Sequence, residues 1–319
     1  MIETKTTFER HSSASAKPTN HSLIRPHFSD VHRLRKILPV RNTSLPASES
    51  QEVHAVVKAQ RSQLIIVSQK RSGSSFVGEI FNQHRDVFYV SEPLKSLTTL
   101  FKRDKGSFDT AAHDVLNATL QCDFQRIPVA GWVIERSSVN TCSHVQEDTV
   151  SLRLGCKEAK SRYCDQPYLK VSADKCRIRK HLAIKTIRVN DLGQLKSFFT
   201  TGKLNVTALH LVRDPRGVMN SRRLLGEANL DFLRRKGIHG DETLDLCQHM
   251  ERNVAFAQHG PEWLQDNYIL VRYEDMAEQP HKITAEIYRH LGWEMSEAIT
   301  KWLEANTNHN AGGEQETEG

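Results

Sequence analysis

The chain has 319 residues, of which 38% are hydrophobic and 26% charged, a composition typical of globular proteins and unlike that of disordered or fibrous ones. A net charge of +6 favours an anionic partner: a nucleotide, an acidic glycan, nucleic acid or a membrane surface. No apolar run approaches the roughly 20 residues of a membrane span, and the N-terminus lacks the apolar core of a signal peptide. Composition therefore predicts a globular protein without a readable membrane anchor or secretory signal.

The two ends of the chain differ in composition from its middle. Residues 1–60 are rich in Ser, Thr, His, Lys and Pro without a sustained apolar period, so we expect a disordered stem or linker. Residues 306–319 are polar and acidic, which predicts a disordered tail. We expect the folded domain to span 61–305.

Short aliphatic segments alternate with helical periodicity inside that domain. The predicted strands are 64–68, 182–186, 206–212 and 268–271. The predicted helices are 74–83, 215–225 and 282–291. This order of strand, loop and helix predicts an α/β fold with a mostly parallel sheet.

Cysteines are clustered in the middle of the sequence. None forms a Cys-x-x-Cys pair, and no zinc-binding His pair occurs, so we predict no metal site. An even number of clustered cysteines predicts disulfides, with free buried thiols as the alternative, and six allow 15 pairings. Glycosylation sequons at Asn42, Asn117 and Asn205 point, like the cysteines, to a glycoprotein of an oxidising lumen. The cysteines are Cys122, Cys142, Cys156, Cys164, Cys176 and Cys247.

The first candidate site is the loop QKRSGSSF, residues 69–76, between a predicted strand and a predicted helix. In α/β proteins such loops bind ligands, and the first N–H groups of the helix favour an anion. Gly73 permits close approach of the backbone, while serine hydroxyls and the Lys70 and Arg71 charges surround it. We predict a phosphate-binding loop; the alternative is a serine-capped helix start beside a solvated Lys-Arg pair.

A nucleoside-triphosphate loop is excluded by the residues that follow. Gly73 and Gly78 have the spacing of the two glycines in that motif. Lys and then Ser or Thr would have to come next, but the sequence has Glu79 and Ile80. The phosphate-binding part of the loop must therefore lie before Gly78.

The second candidate site is LHLVRDPRGVMNSR, residues 209–222. Arg213 ends a predicted strand, Asp214 can cap a helix, and Pro215 fits the first helical position. Ser221 lies on the same predicted helix. Anion sites on two strand ends suit a ligand with two separated phosphates, whereas the alternative is an exposed Arg-rich helix.

These two loops resemble the 5′-phosphosulfate and 3′-phosphate motifs of sulfotransferases that use 3′-phosphoadenosine-5′-phosphosulfate (PAPS). Together with AIKTIRV at 183–189 and LVRYEDMAEQP at 270–280, they are similar to the Golgi carbohydrate 6-O-sulfotransferases of keratan and chondroitin chains. The resemblance implies the sulfotransferase fold, a P-loop-like three-layer sandwich with a central, mostly parallel sheet. It also implies PAPS as co-substrate without a metal, a glycan or proteoglycan acceptor rather than nucleic acid, and the Golgi lumen.

The resemblance implies a role for each matching residue. Arg71 would stabilise charge on the leaving phosphate, and Arg213 with Ser221 would hold the 3′-phosphate. Cytosolic relatives carry a catalytic His after Lys-Thr, but Lys185 and Thr186 are followed here by Ile, so Glu92 becomes the candidate general base. Lys185, and also Arg188, would contact the sulfuryl group or an acidic glycan. The residues expected along the 5′ side are Ser72, Gly73, Ser74, Ser75 and Phe76.

One further matching segment is expected to have a structural role. The segment Tyr273-Glu274-Asp275 is expected only to cap a strand end and the helix near Gln279.

Family members are type II membrane proteins and continue beyond the equivalent of Trp302 with a basic segment, so a C-terminally truncated domain is expected here. The alternative function is therefore a non-catalytic glycan- or PAPS-binding remnant. Glu79 disfavours a kinase, and the lack of Asp-x-Asp disfavours a glycosyltransferase.

Overall fold

The computed structural model describes residues 61–95, 97–101, 104–125, 166–225 and 241–307. Within these residues five strands form one sheet of order β2-β3-β1-β4-β5, in which every neighbouring pair is parallel. The strands are β1 Ser62–Ser68, β2 Val87–Ser91, β3 His181–Thr186, β4 Asn205–Val212 and β5 Tyr268–Arg272.

Helices connect and cover these strands. Between β1 and β3 lie α1 Ser74–Asn82, α2 Leu97–Leu100, α3 Lys105–Leu120 and α4 Gln166–Ile178. Between β3 and β5 lie a 3₁₀ turn, Leu192–Leu195, and α5 Lys196–Thr200, α6 Pro215–Leu224, α7 Asp241–Gln258 and α8 Glu262–Gln265. After β5 come α9 Tyr273–Glu278, α10 Pro280–Leu291 and α11 Glu297–Thr307.

The sheet separates two apolar cores. Alternate residues of a strand point to opposite faces, so Ile65 and Val67 pack with α3 and α4 while Leu64 and Ile66 pack with α1 and α10. Both faces of β1 are therefore buried, which explains its uninterrupted aliphatic sequence. Helices on both faces of a parallel sheet make a three-layer α/β sandwich, and the predicted fold class is confirmed.

The predicted elements agree with the structure apart from their ends. Each of the four predicted strands is present, and helix α10 begins two positions earlier than expected, at Pro280. The edge strand β2 was not predicted. Residues 1–60 and 308–319, which contain the predicted stem and most of the predicted tail, lie outside the described residues. None of the helices that the structure describes has the length and apolar character needed to cross a bilayer.

One disulfide joins the helices on one face of the sheet. Cys122, just after α3, is bonded to Cys176 in α4, across a sequence separation of 54 residues. The disulfide prediction is confirmed for this pair, while Cys142, Cys156 and Cys164 lie outside the described residues. Cys247 is a free thiol whose pKa is raised by burial.

We expect the double substitution of Cys122 and Cys176 by Ser to lower the free energy of unfolding by about 2–4 kcal/mol, because the bond restricts a long loop of the unfolded chain. Thermal unfolding without reductant should show a Tm lower by about 5–15 °C. Cys247→Ser is the matched control, since its thiol is not bonded. An unchanged Tm in the double variant would contradict a stabilising bond.

Two glycosylation sequons fall in the described residues and differ in their surroundings. Asn205 is exposed at the start of β4. Asn117 lies within α3, and the Thr119 of its sequon is fully buried, with its hydroxyl donating to the carbonyl oxygen of Val115 at 2.7 Å. In the folded chain the sequon at Asn205 is therefore accessible, whereas the sequon at Asn117 is not.

Candidate active site

The carboxyl ends of the parallel strands meet at one edge of the sheet, and the predicted site residues lie there. The loop 69–73 follows β1, Glu92 follows β2, Lys185 lies near the end of β3, Arg213 follows β4 and Tyr273 follows β5. Because the strand order is β2-β3-β1-β4-β5, Glu92 and Lys185 flank the central loop on one side and Arg213 and Tyr273 on the other. This edge is where open α/β sheets bind ligands.

The central loop has an unusual backbone that leaves donors available. Arg71 and Gly73 both adopt left-handed conformations, with φ of 72° and 86°. The N–H groups of Phe76 and Val77 donate to the carbonyl oxygen of Gly73 at 3.1 and 3.3 Å. Those of Gly73, Ser74 and Ser75 make no hydrogen bond to other described residues. Three N–H donors at the start of α1 can therefore bind an anion.

Gly73 is required at its position for two reasons. Its φ of 86° disfavours any residue with a side chain. In addition, a Cβ atom would overlap the aromatic ring of Tyr273. The glycine therefore permits both the turn of the loop and its contact with the residue that follows β5.

We expect Gly73→Ala to weaken binding of adenosine 3′,5′-bisphosphate at least tenfold, because left-handed backbone costs about 1–2 kcal/mol in a residue with a Cβ and the methyl group displaces Tyr273. Isothermal titration calorimetry measures the change. Gly202→Ala is the matched control: its φ is 67°, but no atom lies within 4 Å of the added Cβ. Equal effects of both substitutions would contradict a local role of the Tyr273 contact.

Ser72 differs from its neighbours because it faces the interior. It is 1% exposed, its Oγ lies 2.5 Å from Ser68 Oγ, and it donates to the carbonyl oxygen of Gln69. The hydroxyl therefore stabilises the loop from the side of the protein interior. Ser74 and Ser75, in contrast, line the cleft beside the loop.

The start of α6 confirms the predicted cap. Asp214 is the N-cap and its side chain accepts from Arg216 N at 2.8 Å, while Pro215 occupies the first turn. The side-chain hydrogen bond from Arg216 holds the pKa of Asp214 below its ordinary value. Because this carboxylate already occupies the helix N-terminus, an anion near β4 would depend on side chains such as Arg213 rather than on the helix dipole.

Hydrogen bonds join the two predicted motifs. Arg213 Nη1 donates to the carbonyl oxygen of Arg71 at 3.0 Å, and Arg71 Nε donates to Ser221 Oγ at 3.1 Å. The Arg213 guanidinium lies 4.0 Å from the ring centroid of Tyr273. The structure thus brings together Arg71, Arg213 and Ser221 and adds Tyr273, which sequence reasoning had treated as a capping residue.

A cleft of about 430 Å³ opens between these elements. Its volume suits a nucleotide-sized ligand. Two arginines and the start of α1 give it positive potential, while aromatic and aliphatic side chains supply apolar surface. The lining residues are Arg71, Gly73, Ser74, Ser75, Phe76, Arg213, Tyr273, Met276, Ala277, Asn306 and Thr307. Those from α9 and α11 were not predicted, since only the fold brings these helices to the loop.

The motif Tyr273-Glu274-Asp275 forms the first turn of α9 instead of capping α10. Glu274 accepts from the backbone N–H of Asp214 at 2.9 Å and so fixes the loop after β4. Gln279, before α10, makes no side-chain capping bond. The motif therefore connects the ends of β4 and β5, and one of its members faces the cleft.

The second group of predicted residues lies on the other side of the central loop. Lys185 Nζ is 2.7 Å from Glu92 Oε1, and an Arg188 Nη1 contact reaches Glu92 Oε2. The Glu92 side chain is 13% exposed and that of Lys185 is 6% exposed. This carboxylate is partly buried and lies beside two cations, and none of the three residues lines the 430 Å³ cleft. No group of His, Cys, Asp and Glu suited to a metal ion occurs among the described residues.

Comparison with known proteins gives one family over most of the chain. A model described as the sulfotransferase family matches residues 63–297. Carbohydrate sulfotransferase 1 from Homo sapiens is 34% identical over 282 residues, covering 78% of this chain and 68% of that protein. Carbohydrate sulfotransferase 3 from Tetronarce californica is 30% identical over 322 residues, covering 92% and 72%. Among solved structures, the sulfotransferase domain from the Synechococcus PCC 7002 olefin synthase has a TM-score of 0.40 at 19% identity, covering 75% and 76%.

Proposed function

The chain belongs to the sulfotransferase family, as its sequence motifs predict, and from this we propose that it transfers a sulfuryl group from PAPS to a hydroxyl group of a carbohydrate. Its relatives are named as carbohydrate sulfotransferases, which supports a glycan or proteoglycan acceptor. At finer detail, we propose the 6-hydroxyl of a hexose or N-acetylhexosamine in a keratan- or chondroitin-type chain.

The observation that carries the proposal is the meeting of two anion-binding groups at one cleft. The first is the start of α1, with three available N–H donors beside Arg71. The second is Arg213, which lines the cleft and donates to the carbonyl oxygen of Arg71. Ser221 does not line the cleft and joins this group through the hydrogen bond that it accepts from Arg71. PAPS carries a phosphosulfate and a separate 3′-phosphate, so its two anionic ends match the two groups in number and charge.

The residues of the central loop would have different parts in binding. Ser74, Ser75 and the N–H of Gly73 would hold the 5′ end, with Phe76 as an apolar wall. The hydroxyl of Ser72 supports the loop by donating to the carbonyl oxygen of Gln69. Bound PAPS supplies the activated sulfuryl group and a phosphate leaving group. Arg71 would stabilise the negative charge that develops on that phosphate.

The acceptor hydroxyl must lose its proton as its oxygen bonds to sulfur and the bond from sulfur to the phosphate oxygen breaks. We propose that Glu92 accepts this proton, because it is a carboxylate at the strand end on the side of the loop opposite Arg213. Lys185, whose ammonium group contacts Glu92, would add positive charge on the same side of the loop. No metal is required by these roles.

We also propose that the enzyme works in the Golgi lumen. The disulfide between Cys122 and Cys176 supports an oxidising compartment, since such bonds seldom persist in the cytosol. Exposed Asn205 at a glycosylation sequon is consistent with the same location.

Incubation with PAPS and desulfated keratan or chondroitin tests the proposal. We expect release of adenosine 3′,5′-bisphosphate and sulfate incorporation that depends on the acceptor. Arg71→Ala should release far less product. Binding of adenosine 3′,5′-bisphosphate without turnover on any glycan would instead support a non-catalytic PAPS-binding protein and contradict the enzyme.

A further inference from the structure

The group formed by Glu92, Lys185 and Arg188 points to a role for Arg188 beyond charge. We propose that Arg188 is a positioning residue, which holds the carboxylate of Glu92 in the orientation needed to accept the acceptor proton. This inference rests on the proposed sulfuryl transfer. It assigns Arg188 to the protein's own carboxylate and not to the sulfuryl group or an acidic glycan.

Glu92 is attached to one short segment through both its backbone and its side chain. The N–H of Glu92 donates to the carbonyl oxygen of Lys185 at 2.7 Å, and the side chain contacts Lys185 through Oε1 and Arg188 through Oε2. Each carboxylate oxygen therefore has its own cation. A carboxylate held at both oxygens cannot rotate freely about its last bond.

The backbone of Glu92 is also constrained. Its φ of 55° is left-handed, which residues with a side chain adopt only where the surroundings maintain it. This conformation directs the residue after β2 back towards the end of β3, where Lys185 and Arg188 lie. Unfavourable backbone that is maintained at a sheet's ligand-binding edge is typical of functional positions.

The backbone of Arg188 is itself fixed by a hydrogen bond at the end of β3. Its N–H donates to the hydroxyl oxygen of Thr186 at 3.2 Å, and Thr186 is fully buried at the end of β3. The Arg188 side chain is 19% exposed, and its buried Nε has no hydrogen-bond partner among the described residues. An arginine directed at an internal carboxylate in this way is poorly placed to bind a mobile anionic chain.

Lys185 and Arg188 are held near Glu92 in different ways. Lys185 lies within β3, whose register places it opposite Ser91 of β2, so its position is fixed by sheet pairing. Arg188 follows the strand and reaches Glu92 only through its side chain. Removing Arg188 should therefore leave Glu92 Oε2 with only the long hydrogen bond from the N–H of Ile187, at 3.5 Å, while the Lys185 contact and the sheet stay intact.

The test measures kcat and the acceptor KM with a desulfated and with a partly sulfated glycan for Arg188→Ala and Arg188→Lys, alone and combined with Glu92→Gln. We expect Arg188→Ala to lower kcat about 100-fold, since a small displacement of a reacting group costs that much. The acceptor KM and the Kd of adenosine 3′,5′-bisphosphate should stay nearly constant, and Arg188→Lys should recover part of the loss. With Glu92→Gln present, Arg188→Ala should have almost no further effect, because the group it positions is gone.

Arg177→Ala, which breaks an exposed pair with Asp174, is the control and should leave kcat unchanged. An Arg188→Ala loss that persists in full beside Glu92→Gln, or that appears as a higher KM only for sulfated acceptors, would overturn the positioning role while leaving the proposed function intact. A wild-type chain that binds adenosine 3′,5′-bisphosphate but transfers no sulfuryl group would overturn the proposed function, and this inference with it. Tm values well above the assay temperature for both Arg188→Ala and Arg188→Lys establish that the comparison reports on folded protein.

Discussion

Glu92→Gln is expected to lower kcat for sulfuryl transfer by about 100- to 10,000-fold, the usual contribution of a general base. The amide has nearly the shape of the carboxylate but cannot accept the proton of the acceptor hydroxyl. The Kd of adenosine 3′,5′-bisphosphate should change little, because Glu92 does not line the cleft that contains Arg71 and Arg213. A fall in kcat without a change in nucleotide binding therefore distinguishes a base from a cofactor ligand.

A choice of temperature and one control variant guard this experiment against an effect on folding. Removing the charge of Glu92 leaves Lys185 and Arg188 without their anion, and breaking such a buried pair costs about 3–5 kcal/mol. Activity should therefore be measured well below the Tm of the variant. Glu79→Gln is the matched control and should remain active, since Glu79 lies on α1 and its side chain accepts from its helical neighbours Asn82 and Gln83. A Glu92→Gln enzyme as active as this control would remove Glu92 from catalysis.

The strands that support the site could be predicted because of where they lie in the sheet. β1, β3 and β4 are buried on both faces over most of their length, so their sequences are rich in aliphatic residues. β2 is a short edge strand that begins soon after α1, and its partner β3 is distant in sequence. Its residues Val87 to Val90 favour a strand, but the run is short and follows closely on the helical pattern of α1, and so the element that positions Glu92 was not predicted.

The composition of the site was predictable in part for a similar reason. Residues that follow a strand directly, such as Arg213, are placed by the strand itself. Tyr273 also follows a strand, but its contact with Arg213 depends on β5 being next to β4, which the sequence does not reveal. Thr307 reaches the cleft only because α11 packs back on α1, where Trp302 lies 5.3 Å from Phe76 between ring centroids.

The positive φ angles of the site could be predicted only in part from the sequence. The positive φ of Gly73 is typical of glycine and could be predicted. Arg71 and Glu92 adopt similar angles without being glycine, which only surrounding contacts can maintain. The pairing of Cys122 with Cys176 was open for the same physical reason, since it depends on how α3 and α4 pack.

Arg71→Ala is expected to lower kcat by about 100- to 1,000-fold, the effect of removing one preorganised donor from a developing negative charge. The substitution leaves a Cβ atom in place, so the cost of the left-handed backbone at φ 72° is the same before and after. The carbonyl oxygen that accepts from Arg213 is also retained. The loss therefore reports on the guanidinium group, which in the wild-type protein donates to Ser221.

Lys70→Ala separates the two adjacent cations of the loop. Lys70 is exposed and does not line the cleft, whereas Arg71 does, so kcat for Lys70→Ala should fall less than about fivefold, in keeping with the weak effect of solvated charges. Arg71→Lys should lie between the two alanine variants, because an ammonium group keeps the charge but loses the planar set of donors. Equal losses for Lys70→Ala and Arg71→Ala would show that positive charge in the loop, and not one placed guanidinium, stabilises the leaving phosphate.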